Sequence, residues 1–194
     1  MLNPMTKFIA TVFLVTASTA AFAHTGHGVS SFTAGLAHPF SGLDHLLAMV
    51  AVGLWAAQSG GRRMWLLPAM FMTMLAVGAG VSMQWQHPLP LIETGVALSV
   101  LALGLLIALS LQLPIWQSTA ITALFGMLHG YAHGLELPGS AAPVSYALGF
   151  LTATAALHLG GIAAGATTRT RYAVLAKIAG GVIAMSGMGL LTFS

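Results

Sequence analysis

Two short stretches of this chain concentrate side chains that bind cations. The first is His38-Pro39-Phe40-Ser41-Gly42-Leu43-Asp44-His45, with Met49 one turn further on. The second is His129-Gly130-Tyr131-Ala132-His133-Gly134-Leu135-Glu136. On a continuous helix at about 100° per residue, His38, His45 and Met49 fall within about 40° of one another, and Asp44 lies about 100° from His45. Asp44 is then placed to reach a neighbouring helix or to hold a ligand imidazole from behind. Pro39 removes a backbone donor and distorts this turn, and Gly42 allows a close neighbour. His129, His133 and Glu136 stand at i, i+4 and i+7, one stripe within about 60° of arc and about 10 Å of helix axis. Two imidazoles at i and i+4 can share one metal ion. The residues between them are Gly-Tyr-Ala, so the metalloprotease pattern H-E-x-x-H is absent. Imidazole with carboxylate suits Ni(II), Co(II), Zn(II) or Cu(II), and a chain without Cys is a poor fit for Cu(I).

Further candidates lie outside these motifs. Glu93 and His158 stand in apolar surroundings, and His87 sits in a connection. Near the N-terminus, His24 and His27 would begin a chain cleaved after Ala23. The free amine and two imidazoles there could chelate a divalent ion.

The elements that must hold these groups are set by composition. Of 194 residues, 57% are hydrophobic and 5% charged, and the mean hydropathy is +0.91. A soluble domain carries about a quarter charged residues, so three acids and six bases exclude an ordinary soluble globule. The pI near 9.8 reflects a net charge of only +3, and no basic patch marks nucleic-acid binding. Without Cys there is neither a disulfide framework nor a thiolate site.

Residues 1–23 read as a signal peptide: Lys7, an apolar run over 8–20, and Ala21-Phe22-Ala23 as the cleavage site. Six apolar stretches follow, near 32–57, 64–85, 90–111, 115–136, 143–166 and 172–193, each close to the roughly 20 residues a bilayer needs. Short turn-like pieces separate them, Thr167–Arg171 among them. The expected fold is all-α: a polytopic membrane bundle of six transmembrane helices, one domain over 24–194, after a cleavable signal peptide.

Arg62, Arg63, Arg169, Arg171 and Lys177 all fall on one side of this arrangement, which the positive-inside rule makes cytoplasmic. Both mature termini then face the periplasm, as a cleaved signal peptide also requires. His38, Asp44, His45, His129, His133, Glu136 and Glu93 cluster in the periplasmic half, with His158 deeper. Ionisable residues within a membrane cost at least about 2.5–3.5 kcal/mol for Asp and face a bundle interior or a watery cavity. Together they make a polar access path with one further step. Gly126, Gly130 and Gly134 form a ridge that lets a neighbouring helix approach the second motif, and Gly161 and Gly165 form another pair.

The paired motifs His38-Pro39-x-x-Gly42-x-Asp44-His45 and His129-Gly130-x-Ala132-His133-Gly134-x-Glu136 resemble those of the HupE/UreJ family of hydrogenase/urease accessory proteins. The resemblance covers essentially the whole chain. Leu128 stands where the family often has Phe, outside the candidate ligands. The resemblance implies a small nickel permease of the bacterial inner membrane, with cobalt as cargo in some relatives.

The expected function is thus secondary import of a divalent transition-metal ion, Ni(II) first, from periplasm to cytoplasm, for hydrogenase or urease maturation. No phosphate-binding loop is present to power it with ATP. The expected ligands are His38, Asp44, His45, His129, His133 and Glu136, with His24, His27, Met49, Glu93 and His158 as additional candidates. No resident cofactor and no enzymatic activity are expected; the partners are the cation and the lipid bilayer. Two other readings use the same residues: an electron-transfer subunit with haem between His45 and His129, and an intramembrane metallohydrolase. Neutral imidazole is the metal-binding form, so uptake should fall with periplasmic pH.

Overall fold

The computed structural model describes residues 30–139, 141–171 and 173–192. The expected signal peptide over 1–23, and His24 and His27, lie outside them. The described residues form seven α-helices and no strand. These are α1 (Ser31–Ala37), α2 (Leu43–Ser59), α3 (Arg63–Trp85), α4 (Ile92–Ala108), α5 (Ile115–Leu135), α6 (Pro143–Arg171) and α7 (Ala173–Leu190), with a 3-10 turn over His38–Phe40 between α1 and α2.

Among the described residues, three helices are long and apolar enough to cross a bilayer: α3, α6 over Pro143–Thr167, and α7. The segments Ser31–Phe40 and Leu43–Ser59 make a fourth if taken as one broken span. The shorter α4 is apolar over 17 residues. The 21 residues of α5 include Ser118, Thr122, His129 and His133, all buried. Exposed Trp65 and Trp85 lie near the two ends of α3, about 30 Å apart along the axis, the thickness of a hydrocarbon core. Such aromatic anchors mark the two interfaces of a membrane protein.

Two expectations are corrected here. The stretch 32–57 is not one helix: its two segments meet at 79°. Pro39 sits in the first turn of the 3-10 segment, and Gly42 is extended at φ −108°, ψ 126°. Together they end one helix and start the next. His38, His45 and Met49 therefore do not share a helical stripe. The second correction concerns Thr167–Arg171, read as a turn. Helix α6 runs through it to Arg171, because no Gly or Pro is there to stop it.

Glycines set which helices meet. Along α5, a Cβ on Gly126 would strike the Phe71 carbonyl of α3, one on Gly130 the Leu75 carbonyl, and one on Gly134 the Ser82 hydroxyl. The expected ridge thus receives α3, and the two helices run parallel in near backbone contact. Gly53 of α2 lies against the His158 carbonyl, with Gly161 Cα 2.9 Å from where its Cβ would be. Gly104 of α4 meets Gly180 and Ala184 of α7 in the same way. In lipid, where apolar burial drives little association, small residues let backbones approach and dispersion do the holding. The apolar core they enclose includes Met49, Val52, Trp55, Leu67, Phe71 and Leu103.

Candidate metal centre

The break between α1 and α2 positions the first motif. His38 lies in the 3-10 turn, and Asp44 and His45 lie in the first turn of α2. A carboxylate is favoured at a helix N-terminus. The Asp44 Oδ1 accepts the backbone N–H of His45 at 2.8 Å and its ring Nδ1–H at 2.9 Å. The Nδ1 proton is thereby held on the carboxylate side. Nε2 of His45, buried, has no partner.

The second motif lies at the C-terminal end of α5, its residues turned inward by the ridge that receives α3. His129 is fully buried. Its Nε2 is 2.8 Å from Ser99 Oγ, on α4, and that hydroxyl donates its proton to the Val96 carbonyl at 2.6 Å. The imidazole must therefore be the donor to Ser99, which leaves a lone pair on Nδ1, buried and unpartnered. The Nδ1 of His133 donates to Glu136 Oε2 at 2.8 Å, and its buried Nε2 is unpartnered.

Three buried histidines thus each use one ring nitrogen on an anchoring group and offer the other. His45, His129 and His133 present ligand atoms within 4.8 Å of one another. The ring centroids of His45 and His133 are 3.2 Å apart, and those of His45 and His129 are 4.6 Å apart. Buried polar atoms are almost always hydrogen-bonded. Three neighbouring buried imidazoles, each with one ring nitrogen left without a partner, are the arrangement expected of ligands to a cation.

A second group sits at the exposed end. His38 Nε2, His133 Nδ1 and Glu136 Oε2 are separated by 2.8, 2.8 and 3.0 Å. Ligands at right angles around an ion, with bonds of about 2.1 Å, lie about 3.0 Å apart, so these three atoms fit one face of a coordination shell in the tautomer that carries the His133 proton on Nε2. The Glu136 side chain is 53% exposed, whereas His133 is buried. His133 belongs to both groups, with one nitrogen in the outer group and an unpartnered one on the other side of its ring.

The remaining candidates fall elsewhere. Asp44 joins neither group of ligand atoms and stands behind His45 as its anchor. Met49 is fully buried in the apolar core. Glu93 is exposed at the start of α4 and joins neither group. His158, on α6, is buried with both ring nitrogens unpartnered. His87 is exposed, and its carbonyl accepts the Tyr131 hydroxyl at 2.7 Å, tying the connection before α4 to α5.

Ser99, Tyr146, Phe150 and Phe71 escaped the sequence reading. Phe150 stands 4.9 Å from the His133 ring and 5.7 Å from His38, and Tyr146 stands 5.8 Å from His38. Phe71 touches His129 at 5.6 Å. A hydroxyl within the apolar run of α4 was the available signal for Ser99; three aromatics in apolar helices carry none.

Comparison with known proteins agrees with the motifs. The family model described as "HupE / UreJ protein" matches residues 12–190. "Protein HupE" of Rhizobium leguminosarum bv. viciae is 41% identical over 187 residues, covering 95% of this chain and 97% of that protein. No solved structure matches. An all-helical fold with apolar spans, two motifs facing each other across it, and a match over nearly the full length lead to one assignment: the chain is a membrane protein of the HupE/UreJ family, the hydrogenase/urease accessory proteins.

Proposed function

We propose that this protein is an inner-membrane permease that imports a divalent transition-metal ion, Ni(II) first, from periplasm to cytoplasm. The observation that carries the reading is the set of three buried, unpartnered imidazole nitrogens on His45, His129 and His133, each ring anchored through its other nitrogen or neighbour. In this reading a signal peptide over 1–23 is removed. Six spans then follow, the first of them broken, with both mature termini in the periplasm. Glu136 and His38 face that side. His24 and His27 would gather the ion at low supply.

The outer group catches a hydrated cation with the exposed Glu136 carboxylate and His38. His133 lines both groups, so an ion bound at its Nδ1 in the outer group lies one ring away from the inner group, and its passage to Nε2, His45 and His129 is accompanied by return of the ring proton from Nε2 to Nδ1, beside Glu136. Ligand sets shared in this way are weak enough to release the ion, as conduction requires. Broken helices whose ends face an ion near mid-membrane recur in secondary transporters, and the α1–α2 break is of that kind. Arg63 donates to the Leu113 carbonyl at 2.6 Å, beside the N-terminus of α5. That places it at the far end of α5, about 21 Å along the axis from His129, in keeping with a cytoplasmic side there.

The haem reading is disfavoured by geometry: at 4.6 Å between centroids, His45 and His129 leave no space for a porphyrin plane between their rings. The test of the permease reading is accumulation of radioactive Ni(II) in cells lacking other nickel importers. His45→Ala, His129→Ala and His133→Ala should each abolish it at normal membrane levels of protein. If all three variants accumulate Ni(II) like the parent, the reading is wrong.

A further inference from the structure

We propose that His158 is a second coordination step for the transported cation, inward of the three-histidine centre and separated from it by the Phe71 ring. The inference rests on the permease reading above. Its starting point is a buried group that the centre does not use. His158 is 1% exposed, and neither ring nitrogen has a partner. An imidazole buried this way is costly, because its polar atoms have lost water and gained nothing. Leu or Phe would fill such a space without that cost.

The location gives the cost a use. Rings and carboxylate form a continuous series from the exposed end inward: Glu136, His38, His133, His45, His129. Phe71 continues it, 5.6 Å from the His129 ring and, edge to face, 5.3 Å from His158. Phe71 is itself fully buried in the core. Along α6, Phe150, Thr154 and His158 follow at intervals of four, all buried. Phe150 borders the outer histidines, so His158 lies about 12 Å further along the same helix. The helix cannot easily slide to relieve the site, because the His158 carbonyl is packed against Gly53 of α2.

One imidazole cannot hold a divalent ion for long, and that suits a relay. A cation leaving three nitrogens needs a next ligand to lower the barrier through apolar surroundings, yet must leave it again. The Phe71 ring blocks free leakage, and its π face favours a cation passing beside it.

The test uses the full-length protein in two assays: Ni(II) binding to purified protein by equilibrium dialysis, and Ni(II) influx into proteoliposomes. His158→Phe and His158→Leu should bind Ni(II) within about twofold of the parent while influx falls at least tenfold. Phe71→Leu, with binding retained, should raise influx several-fold. Influx within twofold of the parent in both His158 variants overturns the proposal. Loss of binding together with influx also overturns it, since His158 would then support the first centre. Influx at or below the parent level in Phe71→Leu overturns the barrier. A parent protein that neither binds nor moves Ni(II) fails the permease reading itself, a distinguishable result.

Discussion

Ser99 and His129 are joined by a contact of 2.8 Å in which the direction of the proton is fixed, because the serine hydroxyl is already donating to the Val96 carbonyl. A serine on α4 thereby selects the tautomer of a histidine on α5 and turns its remaining lone pair inward. Removing the hydroxyl frees the ring to rotate or to place its proton on Nδ1, where it blocks a ligand. Ser99→Ala should weaken Ni(II) binding about 10–100-fold, the usual effect of losing a group that orients a metal-binding imidazole. Ser99→Thr should keep most of it. Equilibrium dialysis of the purified variants measures both.

Asp44 acts on His45 in the same manner from within one helix turn. Asp44→Ala should abolish Ni(II) accumulation, whereas Asp44→Asn, whose side-chain carbonyl can still accept the Nδ1–H, should retain a measurable part. Gly42 belongs to this arrangement, because a Cβ there would lie 2.6 Å from Asp44 Oδ1 and 3.4 Å from His45 Nδ1. Gly42→Ala should lower accumulation several-fold while the protein level in the membrane stays normal. Uptake equal to the parent in Gly42→Ala would show that the carboxylate can move without consequence.

Glu136 is the one exposed member of the ligand groups, and its role in the proposed path is capture. Glu136→Gln should raise the Ni(II) concentration needed for half-maximal uptake with a smaller change in maximal rate. Uptake measured over a range of Ni(II) concentrations separates the two. A fall in maximal rate alone would assign the carboxylate to a later step.

Protons compete with the cation for the same ring lone pairs, since only neutral imidazole coordinates. Uptake should decline as external pH is lowered from about 7.5 to about 5.5, the interval in which histidines commonly gain a proton. Raising Ni(II) at the lower pH should restore part of the rate, as competition for shared ligands requires. Uptake that is flat across the interval would show that protons do not compete with the cation at the step that limits uptake.

The ridge of α5 can be tested without any metal. A Cβ at Gly130 would strike the Leu75 carbonyl, with the Leu75 Cα at 2.8 Å. Both are backbone atoms that cannot swing away. Gly130→Ala should destabilise by about 1–3 kcal/mol, as overpacking does, and lower the melting temperature in detergent. Gly160, on α6, has open space where its Cβ would be. Gly160→Ala should be neutral or stabilise by up to about 1 kcal/mol through helix propensity.

Residue types alone carried the helical class, the membrane setting, both motifs and the family, because hydropathy and i, i+4 spacing are local properties written along the chain. The pairing of His129 with His133 on one turn of helix was legible for that reason. So was the readiness of Gly126, Gly130 and Gly134 to accept a neighbour, though not that α3 would be the one. The path of the first motif was not legible, since Pro39 and Gly42 bend the chain by an angle that periodicity cannot supply, and this bend takes His38 off the stripe of His45 and Met49. Nor could spacing show that His45 meets His133, that Ser99 reaches His129, or that Phe71 lies against His158. Those contacts join helices distant in sequence. They depend on how closely the backbones pack, a property of glycine-lined helix pairs that exists only once the bundle is assembled.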